Sequence, residues 1–454
     1  MRAHSDRGRA VELIERSRRA GAEDPTAPAA IRAWLSERAE RASVRVDRTP
    51  LDALDGWSAD PDTGDLRHRS GRFFSVRGLD VRRTEGQGEG WSQPIIDQPE
   101  VGVLGFLVKE FDGVPHLLLQ AKMEPGNVNG FQLSPTVQAT RSNYTGVHRG
   151  RAVPYLEHFL SPEPERVLAD SLQSEQGSWF LRKRNRNMVV LAPDGPIPVL
   201  EGFHWATLGQ VHALLAEDDT VNMDTRTVLA GLPFHAGDPD EGARHSTTEV
   251  LSRLASARSR TDMTAVCAPL ASIEGWKHTS EGEIVHESGR FFRVVGVDVT
   301  TSGREVGGWS QPMIAPSGTA LTALVVREFE GVPHVLLNAR AQAGLREIVE
   351  LGPTVQCVPE DLADGAGPLP RLFEEVMGAE PERVLFDAVQ SEEGGRFHHA
   401  RTRNLIVDLS GRPLPKESPD DVWLAPAQVD ALLRHGYYLS IEARSLIACL
   451  RSRV

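Results

Sequence analysis

Apolar and polar residues alternate along this chain in blocks that predict its elements. Val11, Leu13 and Ile14 fall on one side of a charged N-terminal segment. Trp34, Leu35 and Ala39 share a face across Ile31–Arg45, and both patterns predict amphipathic helices. Strand-like stretches follow. SGRFFSVRGLDV (Ser70–Val81) is the first, and GWSQPII (Gly90–Ile96) reads as a loop entering a strand. VGVLGFLVKEFDGVPHLLLQAK (Val101–Lys122) holds two apolar runs joined by FDGVP, where Gly and Pro supply the turn of a hairpin.

The same blocks then recur. SGRFFRVVGVDV begins at Ser288 and answers the stretch at Ser70, an offset of 218, which also carries Trp309 onto Trp91. REFEGVPHVLLNAR repeats KEFDGVPHLLLQAK, and Pro353-Thr-Val-Gln356 repeats Pro135-Thr-Val-Gln138. ERVLFDAVQSEEGG (from Glu382) answers ERVLADSLQSEQGS (from Glu165), and Arg444 aligns with Arg226. The chain is a tandem duplication. Its expected divisions are an N-terminal extension (1–28), a first repeat (29–235), a linker (236–247) where Gly, Pro and Asp gather, and a second repeat (248–454). Each copy mixes strands with helices, so the fold class is α+β.

Duplication supplies an internal comparison. Both copies keep Trp91/Trp309, Gln93/Gln311, Thr136/Thr354, Gln138/Gln356, Glu175/Glu392, Arg186/Arg403 and Asn187/Asn404. These pairs bear either the fold or a ligand common to both halves. The first copy alone has Lys122, Glu124 and Asn127 in KMEPGN, Gln132 and Ser134 in FQLSP, and Asn143 and Tyr144. Trp179, Lys183 and Asn185 are also its own. Amides and hydroxyls that donate and accept at once, beside the Arg-rich run RKRNR (Arg182–Arg186), suit a polyhydroxylated, phosphorylated molecule. The first copy is therefore the expected catalytic half. Glu124, Glu175, Tyr144, His148 and Lys122 are its proton carriers, able to act on a position beside a ketone.

Composition narrows the classes. A net charge of −13 disfavours a nucleic-acid or membrane surface. No run approaches the ~18 apolar residues of a membrane span, and the N-terminus lacks an apolar signal core. Three well-separated cysteines form no metal or redox spacing, so a cytoplasmic chain is expected, with neither metal nor cofactor. No Walker loop, no GxGxxG after a strand and no GxSxG elbow occurs.

LLLQAKMEPGN, QLSPTVQATRSNY, DSLQSEQGSWF and KRNRNM, with the doubled SGRFF and GWSQP, closely resemble the NDP-hexose 2,3-dehydratase family. The resemblance runs from about Trp57 to the C-terminus. It implies two Nudix-like modules without a Nudix box, a homodimer, and dTDP-4-keto-6-deoxy-D-glucose as substrate. A base takes the C3 proton, the C2 hydroxyl leaves, and the 3,4-diketo-2,6-dideoxy product passes to a 3-ketoreductase. On this expectation Glu124, Tyr144 and Glu175 stand nearest the protons. Trp91, Gln93, Lys122, Asn127, Gln132, Ser134, Thr136, Gln138, Asn143 and Trp179 bind substrate, with Lys183, Arg184, Asn185, Arg186 and Asn187. Trp309, Gln311, Thr354, Gln356, Arg403 and Asn404 form a second nucleotide pocket. A non-catalytic NDP-sugar-binding scaffold and a cryptic Nudix-type hydrolase are the alternatives.

Overall fold

A computed structural model describes residues 2–22, 26–83, 90–140, 152–302, 306–363 and 369–453. Asn143, Tyr144 and His148 lie outside the described residues. The N-terminal helices are α1 (Arg2–Ala22) and α2 (Ala27–Arg41). The helix expected to run to Arg45 stops at Arg41, and Val44–Thr49 forms strand β1, where the Val-Arg-Val alternation has period two.

The first repeat continues through β2 (Trp57–Ala59), β3 (Leu66–His68), β4 (Ser75–Arg83) and β5 (Trp91–Asp97), which form one small antiparallel sheet. A seven-stranded sheet follows. Its hairpin, β6 (Gly102–Phe111) and β7 (Val114–Met123), turns through Asp112 and Gly113, both at positive φ. Next come β8 (Phe131–Ser134), β9 (Val137–Ala139), β10 (Val167–Ser174), β11 (Arg184–Leu191) and β12 (Phe203–Ala206), with β11 parallel to β6. Helices α3 (Leu208–Leu215) and α4 (Met223–Ala230) close the repeat, each capped by a side chain, Thr207 and Asn222.

The second repeat opens with α5 (Thr247–Arg260) and β13 (Met263–Ala268). It reproduces the small sheet with β14 (Trp276–His278), β15 (Ile284–His286), β16 (Phe292–Thr301) and β17 (Gly308–Pro316). Its seven-stranded sheet includes β18 (Ala320–Phe329), β19 (Val332–Ala341), β20 (Val349–Gly352), β21 (Val355–Cys357), β22 (Val384–Ser391), β23 (Arg401–Asp408) and β24 (Asp421–Leu424). Helices α6 (Pro426–Leu433) and α7 (Ile441–Arg451) end it.

The repeats exchange strands. β1 of the first pairs along its length with β16 of the second, Val44 opposite Thr301. β13 of the second pairs with β4 of the first, Met263 opposite Arg83. Division of the sequence at 236–247 is thus not a division in space, because each small sheet is completed by the other copy's strand.

A second exchange lies at the centre, where α4 packs on α7. Arg226 on α4 and Arg444 on α7 are fully buried. Arg226 donates to Val221 O and, across the interface, to Ser445 Oγ and to Ser391 O at 2.8 Å. Arg444 donates to Leu439 O, to Thr227 Oγ1 and across to Ser174 O at 2.5 Å. A buried guanidinium persists only when its donors are satisfied, and here carbonyls and hydroxyls from both repeats do this.

Replacing Arg226 with Ala strands Val221 O and Ser391 O without a donor. The expected loss is roughly 3–5 kcal/mol in urea denaturation. Arg226→Lys recovers little of it, because an ammonium lacks the fork that serves both repeats at once.

Candidate active site

A cavity of about 400 Å³ opens where the two repeats meet. Its floor belongs to the first repeat: Lys122, Glu124 and Pro125 at the end of β7, Gln138 on β9, Glu175 after β10, Lys183 and Asn185 at β11, and Asp224 on α4. Its roof belongs to the second: Trp309, Ser310 and Gln311 on β17, and Glu393, Gly395 and Arg396 after β22. Trp57, His68, Phe73 and Phe74 make an aromatic side wall.

Backbone contacts fix roof to floor. Gly126 N donates to Gly394 O at 2.7 Å, and His399 N donates to Gly126 O at 2.7 Å. A Cβ on Gly126 would stand 1.8 Å from Phe397 O, so only glycine allows this approach. The mirrored contact, Gly344 N to Gly177 O at 2.7 Å, locks the other pair of loops.

The floor is a concentration of buried charge. Glu124, Asp224 and Glu393 each bring one carboxyl oxygen within 4.8 Å of the others. Gln138 Nε2 donates to Glu124 Oε1 at 2.6 Å; its own Oε1 receives Ser134 Oγ at 2.8 Å and Asn222 Nδ2 at 3.1 Å. The amide is thereby oriented as a donor toward the carboxyl. Asn185 Nδ2 donates to Glu175 Oε1 at 2.7 Å. Lys122 Nζ reaches Gln138 O at 3.0 Å and Lys183 Nζ reaches Glu100 O at 2.5 Å. Asp224 Oδ1, Glu175 Oε2 and Glu393 Oε2 are buried without a protein partner.

Burial pushes the Glu175 carboxyl up to about 7, against the pull of Arg444, Lys183 and the Asn185 amide. Burial, reinforced by the Glu124 charge, pushes Glu393 up to about 8. Although Glu393 is half-buried as a residue, its Oε2 is shut off from water. Asp224 is raised well above the usual carboxylate range, first by burial and then by Glu175 and Glu124. Desolvation brings the Lys183 ammonium down to about 8. Like charges at this spacing cannot all ionise, so the cluster shares protons at neutral pH. The three carboxyls are close enough for a cation, and the Gln138 N–H donates to Glu124 Oε1 beside them.

Comparison with known proteins identifies the family. The sequence model of the NDP-hexose 2,3-dehydratases matches residues 28–232 and again 247–450. The chain belongs to this family. A Streptomyces violaceoruber protein described as dTDP-4-dehydro-6-deoxy-alpha-D-glucopyranose 2,3-dehydratase is 52% identical, over 94% of this chain and 98% of its own. A protein of the same description from Amycolatopsis orientalis is 48% identical, over 93% of this chain and 90% of its own. Among solved structures, an ADP compounds hydrolase is 20% identical over 36% of this chain and 85% of its own. Its TM-score of 0.25 is too low to bear on the fold.

Within this NDP-hexose 2,3-dehydratase, six of the residues singled out in the first repeat meet in the cavity: Lys122, Glu124, Gln138, Glu175, Lys183 and Asn185. Ser134 stands behind Gln138. Others hold the fold. Thr136 Oγ1 donates to Leu118 O at 2.5 Å and accepts from Leu107 N, and Thr354 does the same with Leu336 O and Val325 N. Gln132 crosses the interface to Ser391 Oγ at 2.8 Å. Asn127 packs against Gly394, Trp179 packs edge-on against Phe397, and Asn187 donates to Thr227. Arg184 donates to Tyr437 of the second repeat, while Arg186 and Arg403 pair on the surface with Asp170 and Asp387. Asn404 is tied to Gln390 and Thr322.

Two expectations reverse. Trp309 and Gln311, assigned to the second copy's pocket, line the first-repeat cavity. Trp91 and Gln93 are not among its lining residues; Trp91 packs beside Ala341, Ala343 and Ile348 of the second repeat. Gln356 likewise faces Glu442, at 3.3 Å. Strand exchange is the cause, since each small sheet caps the other copy's large sheet. Asp224, Glu393 and Arg396 were not foreseen. Glu393 stands where the first copy has Gln176 and Arg396 where it has Trp179. Both are groups that the second copy has and the first lacks.

A carboxyl raised in the folded state stabilises fully below its unfolded value near 4.5 and loses that contribution as pH rises through the folded value. For Glu175 that window runs from about 4.5 to about 7. Urea denaturation at pH 5 and pH 8 should show Glu175→Gln falling less with pH than the parent, while its Oε1 still accepts from Asn185.

Proposed function

We propose that the chain removes water across C2 and C3 of dTDP-4-keto-6-deoxy-D-glucose, giving the 3,4-diketo-2,6-dideoxy sugar, and that the inter-repeat cavity is where it does so. The observation that carries the reading is the cavity's polarity. Its lining brings together buried carboxyls, two lysines and the rings of Trp57, Phe73, Phe74 and Trp309, with the Arg396 guanidinium 4.2 Å from the Phe74 ring centre. In this reading the sugar meets the carboxyls and lysines, the base an aromatic ring, and the Arg396 guanidinium the diphosphate. The relatives' descriptions name the same substrate type.

In this reading the C4 ketone makes the C3 proton acidic, and Glu124 or Glu175 removes it, with Tyr144 a third candidate. Lys122 and Lys183 balance the charge that develops on the C4 oxygen. Loss of the C2 oxygen leaves an enol that takes a proton at C2 on becoming the ketone. The proposal extends to two Nudix-like modules, supported by each repeat's mixed seven-stranded sheet with flanking helices. It extends also to a cytoplasmic homodimer that passes its reactive product to a 3-ketoreductase. No helix among the described residues is long and apolar enough to cross a membrane.

Turnover of the 4-keto sugar in deuterated buffer with a chelator should place deuterium at C2, seen by NMR, while the C2 oxygen is lost. Unchanged sugar alongside clear binding would leave only a carrier, and nucleoside monophosphate released on adding Mg²⁺ would indicate a hydrolase. The strand exchange gives a second test. Trp309→Ala should raise KM roughly 10- to 100-fold, the value of one stacked base, whereas Trp91→Ala should leave KM within about twofold.

A further inference from the structure

We infer that Glu393, contributed by the second repeat, is the acid that protonates the departing 2-hydroxyl. This rests on the dehydratase reading above and adds a residue and a role to it. Glu393 lines the cavity and stands within 4.8 Å, oxygen to oxygen, of Glu124 and Asp224 on the opposite wall. The lock between Gly126 and Gly394, the residue next to it, fixes its approach. A Cβ on Gly394 would stand 2.2 Å from Asn127 Oδ1, so this backbone cannot be drawn back to accommodate a bulkier residue.

Chemistry separates Glu393 from its neighbours. Glu124 Oε1 accepts from Gln138 and Glu175 Oε1 accepts from Asn185, so each of these carboxyls has an amide donor. Among the described residues no amide donates to the Glu393 carboxyl, and its Oε2 is buried and unpartnered, as are Glu175 Oε2 and Asp224 Oδ1. An oxygen in that position is best carried as O–H, and burial beside the Glu124 charge holds the proton there at neutral pH. Asp224 is also raised, but it sits in the first turn of α4, deeper in the first repeat. The groups facing Glu393 are Glu124, Asp224 and Glu175 from the floor, with Lys183 and Arg396 as cations. The duplication offers a contrast: Gln176 and Gln342 occupy the positions matching Glu393 and Glu124 in the mirrored arrangement, and neither amide can deliver a proton.

The step balances as an elimination. The base takes H⁺ from C3, the C3–H electron pair becomes the C2=C3 bond, and the C2–O bond breaks. The Glu393 proton leaves in the water, and solvent restores it afterwards.

Two substrates test the role: the natural 4-keto sugar and its 2-deoxy-2-fluoro analogue, whose fluoride leaves without needing a proton. Glu393→Gln should lower kcat on the natural substrate about 10²- to 10⁴-fold, the usual worth of a placed acid, with KM within a few-fold. The same variant should release fluoride from the analogue at close to the parent's rate. Its stability should hold or increase, because an amide relieves the crowded carboxyls. Equal loss on both substrates would overturn the acid role, as would unimpaired turnover of the natural one. If the variant unfolds, Glu393→Asp serves in its place, with the same selective loss expected on the hydroxyl substrate. A parent enzyme inactive on both sugars would instead overturn the dehydratase reading itself.

Discussion

Two crossed arginines set the terms for this molecule. Arg226 and Arg444 are each wholly buried, each donate within their own repeat, and each reach one carbonyl of the other. Those two carbonyls are not arbitrary. Ser391 lies two residues before Glu393, and Ser174 immediately precedes Glu175. The interaction that joins the halves thus anchors the strand ends carrying the site's carboxyls. Burying a guanidinium is costly unless its donors are met, so the interface cannot slide without stranding one of them. Rigidity at the axis becomes accuracy at the cavity, about as direct a link from packing to chemistry as a fold provides.

The strand exchange gives that link its asymmetry. Because β17 and the loop after β22 roof the first repeat's large sheet, a substitution in the second copy changes the first copy's site. Glu393 for Gln176 and Arg396 for Trp179 supply an acid and a cation where the mirrored place has an amide and an indole. In the mirrored cluster Glu350 is held by Ser174 Oγ at 2.6 Å, and Gln342 and Gln356 amides surround Glu442. The mirrored half keeps carboxyls as well, each with a donor on one oxygen while the other, Glu350 Oε1 or Glu442 Oε2, is buried without a partner. In the cavity three carboxyls keep a bare oxygen. Unsatisfied buried oxygens cost stability in both halves; what sets the cavity apart among the described residues is the gathering of Glu124, Asp224 and Glu393 within 4.8 Å of one another.

Much of this was legible in the sequence. The repeat, the β6–β7 hairpin, the helix patterns and six cavity residues follow from periodicity and from comparing the copies. The helix before β1 was overrun because Val44 and Val46 continue an apolar pattern that fits either period over so short a span. The family resemblance is local too, being carried by contiguous strings. What resisted was anything depending on which copy faces which. Aligning Trp309 with Trp91 shows that the two are equivalent; it says nothing of the sheet each one covers. Thr136 and Thr354 illustrate the converse: kept in both copies, they hold the same pair of backbone groups at the β6–β7 and β18–β19 hairpins, a fold role that a shared polar residue does not announce.

Function does not divide here as the sequence does. A comparison of copies ranks the first as catalytic by counting its extra polar groups, and the second then looks like a copy in decline. With strands exchanged, a group gained by one copy is delivered to the other, so gain and use fall in different halves. The second repeat's Glu393, Arg396 and Trp309 are as close to the cavity as any residue of the first. Neither half encloses a complete site: without the second repeat the Glu124 loop loses its backbone partners at Gly394 and His399, and Asp224 and Glu175 face water. Water would solvate those carboxyls, remove the desolvation that raises them, and so abolish the store of protons on which an elimination at neutral pH depends.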